Sequence, residues 1–498
     1  MSVGVGTLNI VVVPDEAART STLSLVRKLI AALEAESVSY CHWKSNAFLD
    51  RSRTGENDLD LLIRRSDLDA FSAVMHRLGF KQATNPLAAP ATEDYYGHDP
   101  ASDRLVHVHA HYQLIVGDDL TKNYRVPIET AFLDTTLRDG EFRIPIPEVE
   151  LILLVIRMTL KHSTWDAVLL RRAKVPASAL EELTFLRARA DERALGALLK
   201  EHLPFIEREA FDAAMASLDS SAVARVRAGR GLVTQLAVCA RRSRATDVRL
   251  KSWRRAAGTV RARLPLAAPR KGLAGGGAII AFVGADGAGK STCVDGLYSW
   301  LGKDFAVAKI HLGKPRPSGL TRVIDPLLKL PLGFAALHRR ALKRAVGDSP
   351  IRSRVLAMYA VATARDRYLA YRQARRLSAS NSLVICDRFP LPQLTLMDAP
   401  QVQRITGAGR GSWLDRSLAS REQRYYRAFT YPDVLVVLRV DPEIAVMRKP
   451  EEPPDFVRGR WREVWEVDWP SVPGHVVDAS RSMQEVLSEV KALVWSEL

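Results

Sequence analysis

Cysteine is scarce in this sequence of 498 residues, and the few cysteines are far apart. The four are Cys41, Cys239, Cys293 and Cys386, and no C-x-x-C pair occurs. Disulfide-rich scaffolds and thiolate zinc sites both need cysteines at characteristic close spacings. The sequence therefore argues against both kinds of site, and free thiols are typical of a reducing cytosol.

Long apolar runs are also missing. A membrane-spanning helix needs about 18 or more consecutive apolar residues, and no segment approaches that length. The N-terminal stretch MSVGVGTLNIVVVPDEAART has no basic segment before its short apolar run, unlike a secretory signal peptide. We therefore expect a cytoplasmic protein without a transmembrane segment.

Acidic residues are almost absent from one central segment. Between Arg225 and Lys271, twelve Arg and two Lys stand against a single acid, Asp247, so this segment holds most of the net charge of +16. Such a segment is typical either of a solvated linker or helical face, or of a contact with nucleic acid, acidic lipid or another polyanion. Aromatic residues that would stack on bases are nearly absent, with only Trp253 present.

The length of the chain exceeds what one hydrophobic core supports, so two or three domains are expected. The patterns divide the chain into an α+β domain over residues 20–145, a helical extension over 146–220, a basic linker region over 221–277 and an α/β domain with a parallel sheet over 278–498. The stretch GLAGGG (Gly272–Gly277) is typical of a flexible boundary.

Periodicity predicts the main elements of the first region. Apolar residues at spacings of three and four predict helices, and alternating apolar residues predict strands. The predicted elements are helices over Ser21–Glu36 and Asp67–Phe80 and strands over Asn57–Ile63 and Arg104–Ile115. After Pro147, segments rich in leucine and arginine predict further helices to about Leu218.

The most specific motif is FVGADGAGKST, Phe282 to Thr292, which contains the pattern G-x-x-x-x-G-K-[ST]. The apolar run AIIAFVG before it predicts a buried parallel strand, and STCVDGLYSWL after it predicts a helix. Glycines let backbone N–H groups turn toward a phosphate, and the helix N-terminus adds a positive dipole. The motif therefore predicts a nucleoside triphosphate site, with ATP bound by Gly284, Asp286, Gly287, Gly289, Lys290, Ser291 and Thr292.

Two residues are predicted ligands of Mg²⁺ in this region. The Ser291 hydroxyl has the position of the magnesium-binding residue of the motif. The run SLVICD predicts a second parallel strand that ends at Asp387, beside the loop, where a carboxylate can hold Mg²⁺ or orient an acceptor. Arg388 follows directly.

Several segments, taken in order, resemble thymidylate kinase and related nucleoside monophosphate kinases over about the last 220 residues. They are GADGAGKST, KIHLGKPRPSG, MYAVATARDR, VICDRF, YPDVLVVLRVDPEIAVMR and HVVDAS. The resemblance implies an ATP- and Mg²⁺-dependent kinase, with Lys290, Asp387, Arg388 and the lid residue Arg458 in catalysis. Its phosphoryl acceptor would be small and anionic.

The resemblance also implies an arginine that grips the acceptor phosphate. Arg365 and Arg367 both fit this role, and their spacing does not choose between them, while Arg316 is expected in the same acceptor site. The phosphate loop itself carries Ala285 and Ala288 rather than a basic residue. Transition-state charge is therefore expected from four lid cations, Arg448, Lys449, Arg458 and Arg460.

The acceptor side departs from the family. The segment DRFPLPQLTLMDAP (Asp387–Pro400) contains prolines that reshape the loop after the second strand. A basic amphipathic stretch, Pro326–Gly347, is inserted as well, and it is expected to pack on the protein, to cover the acceptor site or to lie on a membrane surface. The acceptor stays open, as a nucleoside monophosphate or a sugar.

The N-terminal region resembles the nucleotidyltransferase fold over about the first 130 residues, through SYCHWKSN and GENDLDLLI. The hallmark of that family is a D-x-D pair that binds Mg²⁺, and alternation puts Asp58 and Asp60 on one face of a strand. Trp43, Lys44 and Ser45 replace the Gly-Ser of the family, and its third acid is not evident. Binding is therefore expected rather than full catalysis.

The segment HVHAH places His107, His109 and His111 on one strand face. Three such histidines can ligate a metal, contact a phosphate or simply form a polar sheet face. With the D-x-D pair, they predict a metal site that includes Asp58, Asp60 and His109.

Three functions therefore stay open. The first is a thymidylate-kinase-like phosphotransferase fused to a nucleotidyltransferase-like module. The second is a bifunctional kinase and nucleotidyltransferase that modifies a sugar or polysaccharide. The third is an ATP-gated nucleic-acid-binding or defence protein, in which residues 225–271 hold the polyanion. The sequence leaves self-association open.

Overall fold

The structure is a computed structural model that describes residues 22–86, 90–169, 174–263, 270–319, 321–322, 350–407, 412–448 and 454–498. The protein is mixed α/β and divides into two compact units, Met1–Pro269 and Arg270–Leu498. Separate clusters of buried apolar side chains form the cores of the two units.

A mixed sheet forms the base of the first unit. Its strands are β1 (Tyr40–His42), β2 (Leu59–Ile63), β3 (Lys81–Thr84), β4 (Thr92–Asp99) and β5 (Arg104–His111). They lie in the order β1-β2-β5-β4-β3, with β2 and β5 parallel and the other neighbours antiparallel. Both predicted strands are confirmed, although the second ends at His111.

Two hairpins follow, formed by β6 (Ile115–Val116) with β7 (Tyr124–Arg125) and by β8 (Thr136–Asp139) with β9 (Phe142–Pro145).

The two faces of this sheet differ because successive side chains of a strand point to opposite sides. Leu59, Leu61 and Val108 belong to the apolar face, which packs in one core with helices α1 (Ser24–Ala35) and α3 (Leu68–Arg77). Both helices were predicted and are confirmed. The shorter helices α2 (Leu49–Arg53) and α4 (Glu129–Asp134) lie in the connections. The opposite face carries Asp58 and Asp60 of the D-x-D pair and the three histidines of HVHAH.

The helical extension predicted after Pro147 is confirmed. It comprises α5 (Pro147–His162), α6 (Trp165–Leu169), α7 (Ala177–Arg187), α8 (Glu192–His202) and α9 (Arg208–Ala216). Two further helices, α10 (Ala222–Gln235) and α11 (Arg244–Arg263), follow within the stretch that the sequence assigned to a linker. Helix α5 is buried along nearly its whole length and forms the centre of a second core of the unit.

Most of the basic segment is therefore helical. Leu232 and Leu236 join the core around α5. Several of the cations contact the same unit: Arg255 Nη2 lies 2.9 Å from Asp118 Oδ2, and Arg242 Nη2 donates to the Thr121 carbonyl at 2.7 Å. Part of the positive charge is thus used in packing α11 and the segment before it against the rest of the first unit.

The second unit is built on a parallel sheet. Its strands are β11 (Ile279–Gly284), β12 (Val307–His311), β13 (Leu383–Asp387), β14 (Val434–Arg439) and β15 (His475–Asp478), in the order β12-β13-β11-β14-β15; β10 (Gly272–Leu273) precedes them in the chain. All neighbouring strands of this sheet are parallel. The central strands β11, β13 and β14 are buried almost throughout, as apolar strands covered on both faces are.

Helices connect these strands. They are α12 (Lys290–Leu301), α13 (Pro350–Ser378), α14 (Val402–Thr406), α15 (Trp413–Tyr426), α16 (Pro442–Arg448), α17 (Pro454–Glu466) and α18 (Met483–Glu497). The inserted stretch Pro326–Gly347 and the lid residue Lys449 lie outside the described residues. Within the described part of the chain, no helix combines the length and the apolar character that crossing a membrane requires.

Candidate functional site

The topology of the second unit brings the loop after β11 and the end of β13 together. These two central strands are parallel neighbours, and Phe282 pairs with Asp387. Residues that follow the carboxyl ends of neighbouring parallel strands meet at one edge of the sheet, where α/β proteins place their ligand sites. Asp387 and Arg388 therefore lie beside the phosphate loop, although about a hundred residues separate them in the chain.

The loop depends on glycines with positive φ angles. Gly284 has φ of +149°, and Gly287 and Gly289 both have φ of +84°. A Cβ atom at Gly284 would lie 2.6 Å from the Leu438 carbonyl oxygen, which real contacts essentially never reach. The loop conformation thus needs glycine, and it leads directly into the N-terminus of α12.

Lys290 is buried inside this loop. Its Nζ donates to the carbonyl oxygens of Gly284 at 2.8 Å and Ala285 at 2.7 Å. Burial, together with the neighbouring charge of Arg388, lowers the pKa of Lys290 to about 8. A phosphate in the loop would stabilise this cation by adding negative charge beside it.

Two oxygens suited to magnesium lie next to the loop. Ser291 Oγ donates to Asp387 Oδ2 at 3.1 Å, so the hydroxyl and the carboxylate already face each other. Oxygen ligands of this kind are the ones that Mg²⁺ prefers. His311 Nε2 lies 4.0 Å from the same Asp387 oxygen. The predicted pair of magnesium ligands is therefore brought together, whereas Thr292 lies exposed in the first turn of α12.

Asp286 links the loop to two arginines. Arg388 Nη2 lies 2.7 Å from Asp286 Oδ1, and Arg460 forms an ion pair with the other carboxylate oxygen. Although burial opposes its ionisation, Lys290 and Arg388 hold the pKa of Asp286 below its usual value. The carboxylate thus orients both guanidinium groups at the loop.

The lid arginines differ in what they contact. Arg448 Nη1 donates to the Ala479 carbonyl at 3.1 Å and lies 3.4 Å from the Gly287 carbonyl oxygen. Arg458, which the resemblance places in catalysis, lies 3.3 Å from Glu443 on the exposed side of the lid. Two lid residues thus contact the phosphate loop, Arg448 and Arg460, the second of which lies two residues after Arg458.

The two candidate acceptor arginines have different surroundings. Arg367 is buried, and its guanidinium donates to the carbonyls of Leu312 at 2.7 Å and Gly313 at 3.0 Å and to Asp398 at 3.1 Å. Arg365 is half-buried, and its described hydrogen bond is a long one, 3.4 Å, to Ser318 Oγ. Arg367 is thus engaged in holding the fold, which leaves Arg365 as the better candidate for an acceptor.

A cavity of about 500 Å³ lies between β12 and α13. Its polar lining comprises Lys309, His311, Lys314, Arg316, Ser318, Asp366 and Gln373. This volume is in the range of small-molecule sites, and the lining holds three cations against one carboxylate. Of these residues only Arg316 was singled out from the sequence. His311 and Lys314 lie in the segment KIHLGKPRPSG, so the family-like segment was the signal that could have identified them.

The first unit assembles a different set of residues on the polar face of its sheet. Because β2 and β5 are parallel neighbours, Asp60 pairs with His109 in the register. Asp60 Oδ1 lies 2.7 Å from Lys44 Nζ, 3.4 Å from His109 Nδ1 and 3.5 Å from His111 Nε2. In the sequence, Lys44 stands out only as a departure from the family, whereas the structure pairs it with Asp60 in the middle of this cluster.

The two acids of the D-x-D pair have separate partners. Asp58 is exposed, and its Oδ1 lies 2.7 Å from His107 Nδ1, whose Nε2 lies 2.7 Å from Asp94. The described potential metal ligands that lie within 4.8 Å of one another are Asp60, His109 and His111. Asp58 thus pairs with His107, whereas the predicted metal site joined it to His109.

These residues do not fit a magnesium ion. Mg²⁺ takes oxygen ligands, but two of the three clustered groups are imidazoles. Although burial opposes its ionisation, Lys44 holds the pKa of Asp60 well below its usual value, so the carboxylate is already paired with a cation. Burial lowers the pKa of His111 to about 3, which keeps this imidazole neutral.

Two buried carboxyl groups hold the loop around Lys44. The backbone N–H of Ser45 donates to Glu182 at 2.9 Å, and Asn46 donates to Glu150 through its backbone at 3.1 Å and its side chain at 2.9 Å. Ser45 has φ of +60°. The amides of this loop are thus bonded to side chains of α5 and α7, which fixes the position of Lys44.

Comparisons with known proteins give two bacterial relatives. No family model matches the sequence. The chain is 31% identical over 183 residues to the uncharacterized ATP-binding protein YghR of Escherichia coli strain K12, an alignment that covers 35% of this chain and 69% of YghR. It is also 31% identical over 185 residues to the uncharacterized ATP-binding protein YghS of the same strain, covering 35% of this chain and 73% of YghS.

Proposed function

The chain belongs to the family of the E. coli ATP-binding proteins YghR and YghS, and from this premise we propose that its second unit binds ATP and transfers a phosphoryl group to a small acceptor. The observation that carries the proposal is the assembled phosphate loop. A buried Lys290 lies inside a glycine loop, and Ser291 faces Asp387 across 3.1 Å.

The residues at the loop suit Mg·ATP in charge and in donor type. When bound, Mg·ATP supplies the transferable phosphoryl group and the divalent charge that phosphoryl transfer needs. Lys290 and the loop amides would hold the phosphates, and Ser291 and Asp387 would hold the ion. Because little covalent chemistry falls to the protein, the task of this chain is to position and to neutralise charge.

Arginines supply the remaining positive charge. Arg388 is held by Asp286 at 2.7 Å, and Arg460 is paired with the same carboxylate. We propose that these two groups, rather than Arg458, stabilise the charge that develops on the transferred group. The salt links to Asp286 keep both guanidinium groups at the loop.

The acceptor is proposed to bind in the cavity between β12 and α13. His311 lines that cavity and approaches Asp387, so the cavity adjoins the magnesium ligands. Its cations Lys314 and Arg316 favour an anionic acceptor, with Arg365 as a further contact. A nucleoside monophosphate, as in thymidylate kinases, and a sugar phosphate both satisfy these requirements.

The test is ADP release from Mg·ATP by the full chain across nucleoside monophosphates, nucleosides, monosaccharides and sugar phosphates. Lys290→Ala should lower stimulated ADP release by at least about 100-fold, because a phosphate-binding cation is lost from a buried site. Lys303→Ala, at an exposed lysine of the same unit, is the matched control and should leave the rate unchanged.

Two results would contradict the proposal. One is full ADP release by Lys290→Ala, which would mean that turnover does not use the loop. The other is the failure of every acceptor to stimulate the wild-type chain above its basal rate, which would reduce the second unit to ATP binding alone. With an anionic acceptor that stimulates the wild-type chain, Arg365→Met should raise KM for that acceptor more than it lowers kcat.

A further inference from the structure

We propose that the first unit has a second anion site, in which a basic pocket on the polar face of its sheet binds the phosphoryl group of a small phosphorylated molecule, with Lys44 in the place of a divalent cation. This site is distinct from the phosphate loop of the second unit. It rests on the contacts of the first unit alone and does not depend on the proposed phosphotransferase.

Four cationic side chains line one small cavity. The cavity has a volume of about 70 Å³, and its cations are Lys44, Lys122, Arg157 and Lys161. Arg157 and Lys161 lie four residues apart on α5, so they project from the same face of that helix. Lys44 comes from the loop after β1, and Lys122 comes from the connection between β6 and β7. Three separate parts of the chain thus converge on one point.

The cations outnumber the carboxylates that pair with them. Asp119 Oδ2 lies 2.7 Å from Lys161 Nζ, its Oδ1 lies 3.7 Å from Lys122 Nζ, and Asp60 balances Lys44. Two carboxylates against four cations leave an excess of two positive charges around the cavity. A phosphoryl dianion carries the matching charge.

Burial and the neighbouring cations both act against the charge of Lys122. Burial and the nearby charges of Lys44, Arg157 and Lys161 lower its pKa, although Asp119 acts in the opposite direction. Bringing like charges together in a partly buried site is unfavourable unless an anion compensates. The cluster therefore gains stability from a bound anion, which is the behaviour of a binding site rather than of a packing contact.

The buried acids behind the pocket supply at most part of this compensation. Burial raises the pKa of Glu150 to about 8, and it raises the pKa of Glu182 as well. At neutral pH the pair therefore carries less than its full negative charge. Both groups accept hydrogen bonds from Ser45 and Asn46, so they position the loop that carries Lys44.

The aromatic wall holds two of the cations in place. Lys44 Nζ lies 5.0 Å from the centre of the Trp43 ring, and the Arg157 guanidinium lies 5.2 Å from the same ring. Cation–π contacts at this distance stabilise a charge without neutralising it. Trp43 thus keeps both cations at the cavity and leaves their positive charge available to a ligand.

The size of the cavity defines the class of ligand. Sites for whole small molecules measure roughly 300–1,000 Å³, and this cavity is far smaller. It admits one phosphoryl group, while the rest of the molecule extends beyond the described lining. Arginine and lysine are the side chains that recognise phosphate oxygens, and His109 adds a further ring nitrogen at the cavity wall.

Lys44 makes a divalent cation unnecessary. Its ammonium lies 2.7 Å from Asp60, at the carboxylate on which His109 and His111 also converge. A cation ligated by these three groups would have to displace Lys44. Asp58, the other acid of the D-x-D pair, is engaged by His107 instead of sharing an ion with Asp60.

The test is calorimetric titration of inorganic pyrophosphate into the full-length chain in EDTA, with Lys290→Ala in every protein to weaken the phosphate loop. A site in the first unit should be seen, besides any pyrophosphate bound by the cationic cavity of the second unit. Adding Arg157→Met should lower the affinity of the site in the first unit by at least about 10-fold, because a charged hydrogen bond is lost. Adding Lys200→Met, at an exposed lysine of α8, is the matched control and should leave the affinity for pyrophosphate unchanged.

The proposal is overturned if no site is seen in EDTA, if binding appears only after a divalent cation is added, or if Arg157→Met binds as well as the control. If thermal melting shows that Arg157→Met does not fold, Lys122→Met replaces it. Lys122→Met should lower the affinity for pyrophosphate by the same factor. Cobalt(II) provides a second arm: Lys44→Met should acquire the visible absorption of cobalt bound at Asp60, His109 and His111. That absorption in the chain with Lys44 intact would show that lysine does not occupy the place of the cation.

Discussion

Gly284 shows how a single position controls the phosphate loop. Its φ of +149° is one that residues with a side chain rarely adopt, and the Leu438 carbonyl lies where a Cβ would be. Glycine is therefore required twice over, by the backbone conformation and by the approach of β14 to β11. The motif predicts the glycine, and the structure gives the second reason.

We expect Gly284→Ala to lower the free energy of unfolding of the second unit by about 1–3 kcal/mol, because the substitution adds both a clash and an unfavourable φ. ATP affinity should fall by at least about 10-fold as the loop shifts. Thermal melting and nucleotide titration measure the two effects. Gly275→Ala is the control, since a Cβ there meets no atom within 4 Å. Equal melting temperatures for the two variants would contradict the steric argument.

The arginines of α13 illustrate what residue spacing cannot decide. Arg365 and Arg367 are two positions apart, so both fit an acceptor-binding role in the sequence. Their partners differ because Leu312, Gly313 and Asp398 come from distant parts of the chain and surround only Arg367. The choice between the two is therefore a property of packing.

At the scale of elements, helix α5 connects packing with the pocket of the first unit. Its apolar residues fill the centre of the helical core, and Glu150 near its start reaches the loop of Lys44. Arg157 and Lys161 line the basic pocket and lie at least about two helical turns after Glu150. One buried helix therefore positions a carboxyl group and two cations at once.

The raised pKa of Glu150 predicts a pH dependence. Between its usual value of 4.5 and its folded value of about 8, the folded protein holds a proton that the unfolded chain releases. Stability should therefore fall as pH rises through this window. Glu150→Gln cannot ionise, so it should become progressively more stable relative to wild type from pH 5 to pH 8.

Melting temperatures at pH 5, 6.5 and 8 measure this difference. Glu209→Gln, at an exposed carboxylate in the same helical extension, is the control and should keep a constant offset from wild type. A constant offset for Glu150→Gln as well would mean that Glu150 stays ionised in the folded protein.

At the scale of the whole molecule, the two units have separate cores. The buried clusters around α5 and around the mixed sheet belong to the first unit, and the cluster around the parallel sheet belongs to the second. Because each unit buries its own apolar surface, each is expected to unfold as a cooperative transition of its own.

Calorimetry should therefore show two unfolding transitions. Mg·ATP should raise the midpoint temperature of only one of them. At a concentration about 100 times Kd, ATP should stabilise that unit by about 2.7 kcal/mol. Val436→Ala, in the buried strand β14, should lower the midpoint temperature of the same transition. That result would assign the transition to the second unit. An equal shift of both transitions by ATP would argue against a nucleotide site confined to one unit.

The sequence by itself determined the features that depend on local patterns. The helices α1 and α3, the strands β2 and β5, the helices after Pro147 and the strand–loop–helix around Lys290 follow from periodicity and from the spacing of glycines. These features need only near neighbours in the chain, and the structure confirms them. The family-like segments also pointed to Arg316, which lines the cavity proposed for the acceptor, although not to His311 or Lys314.

Only the tertiary structure decided which charges meet. The parallel pairing of β2 with β5 puts Asp60 beside His109, and the loop after β1 then brings Lys44 to the same carboxylate. Packing of α5 against this face adds Arg157 and Lys161 to the pocket. Contacts of this kind join residues far apart in the chain, so they depend on strand order and helix packing, which no local pattern contains.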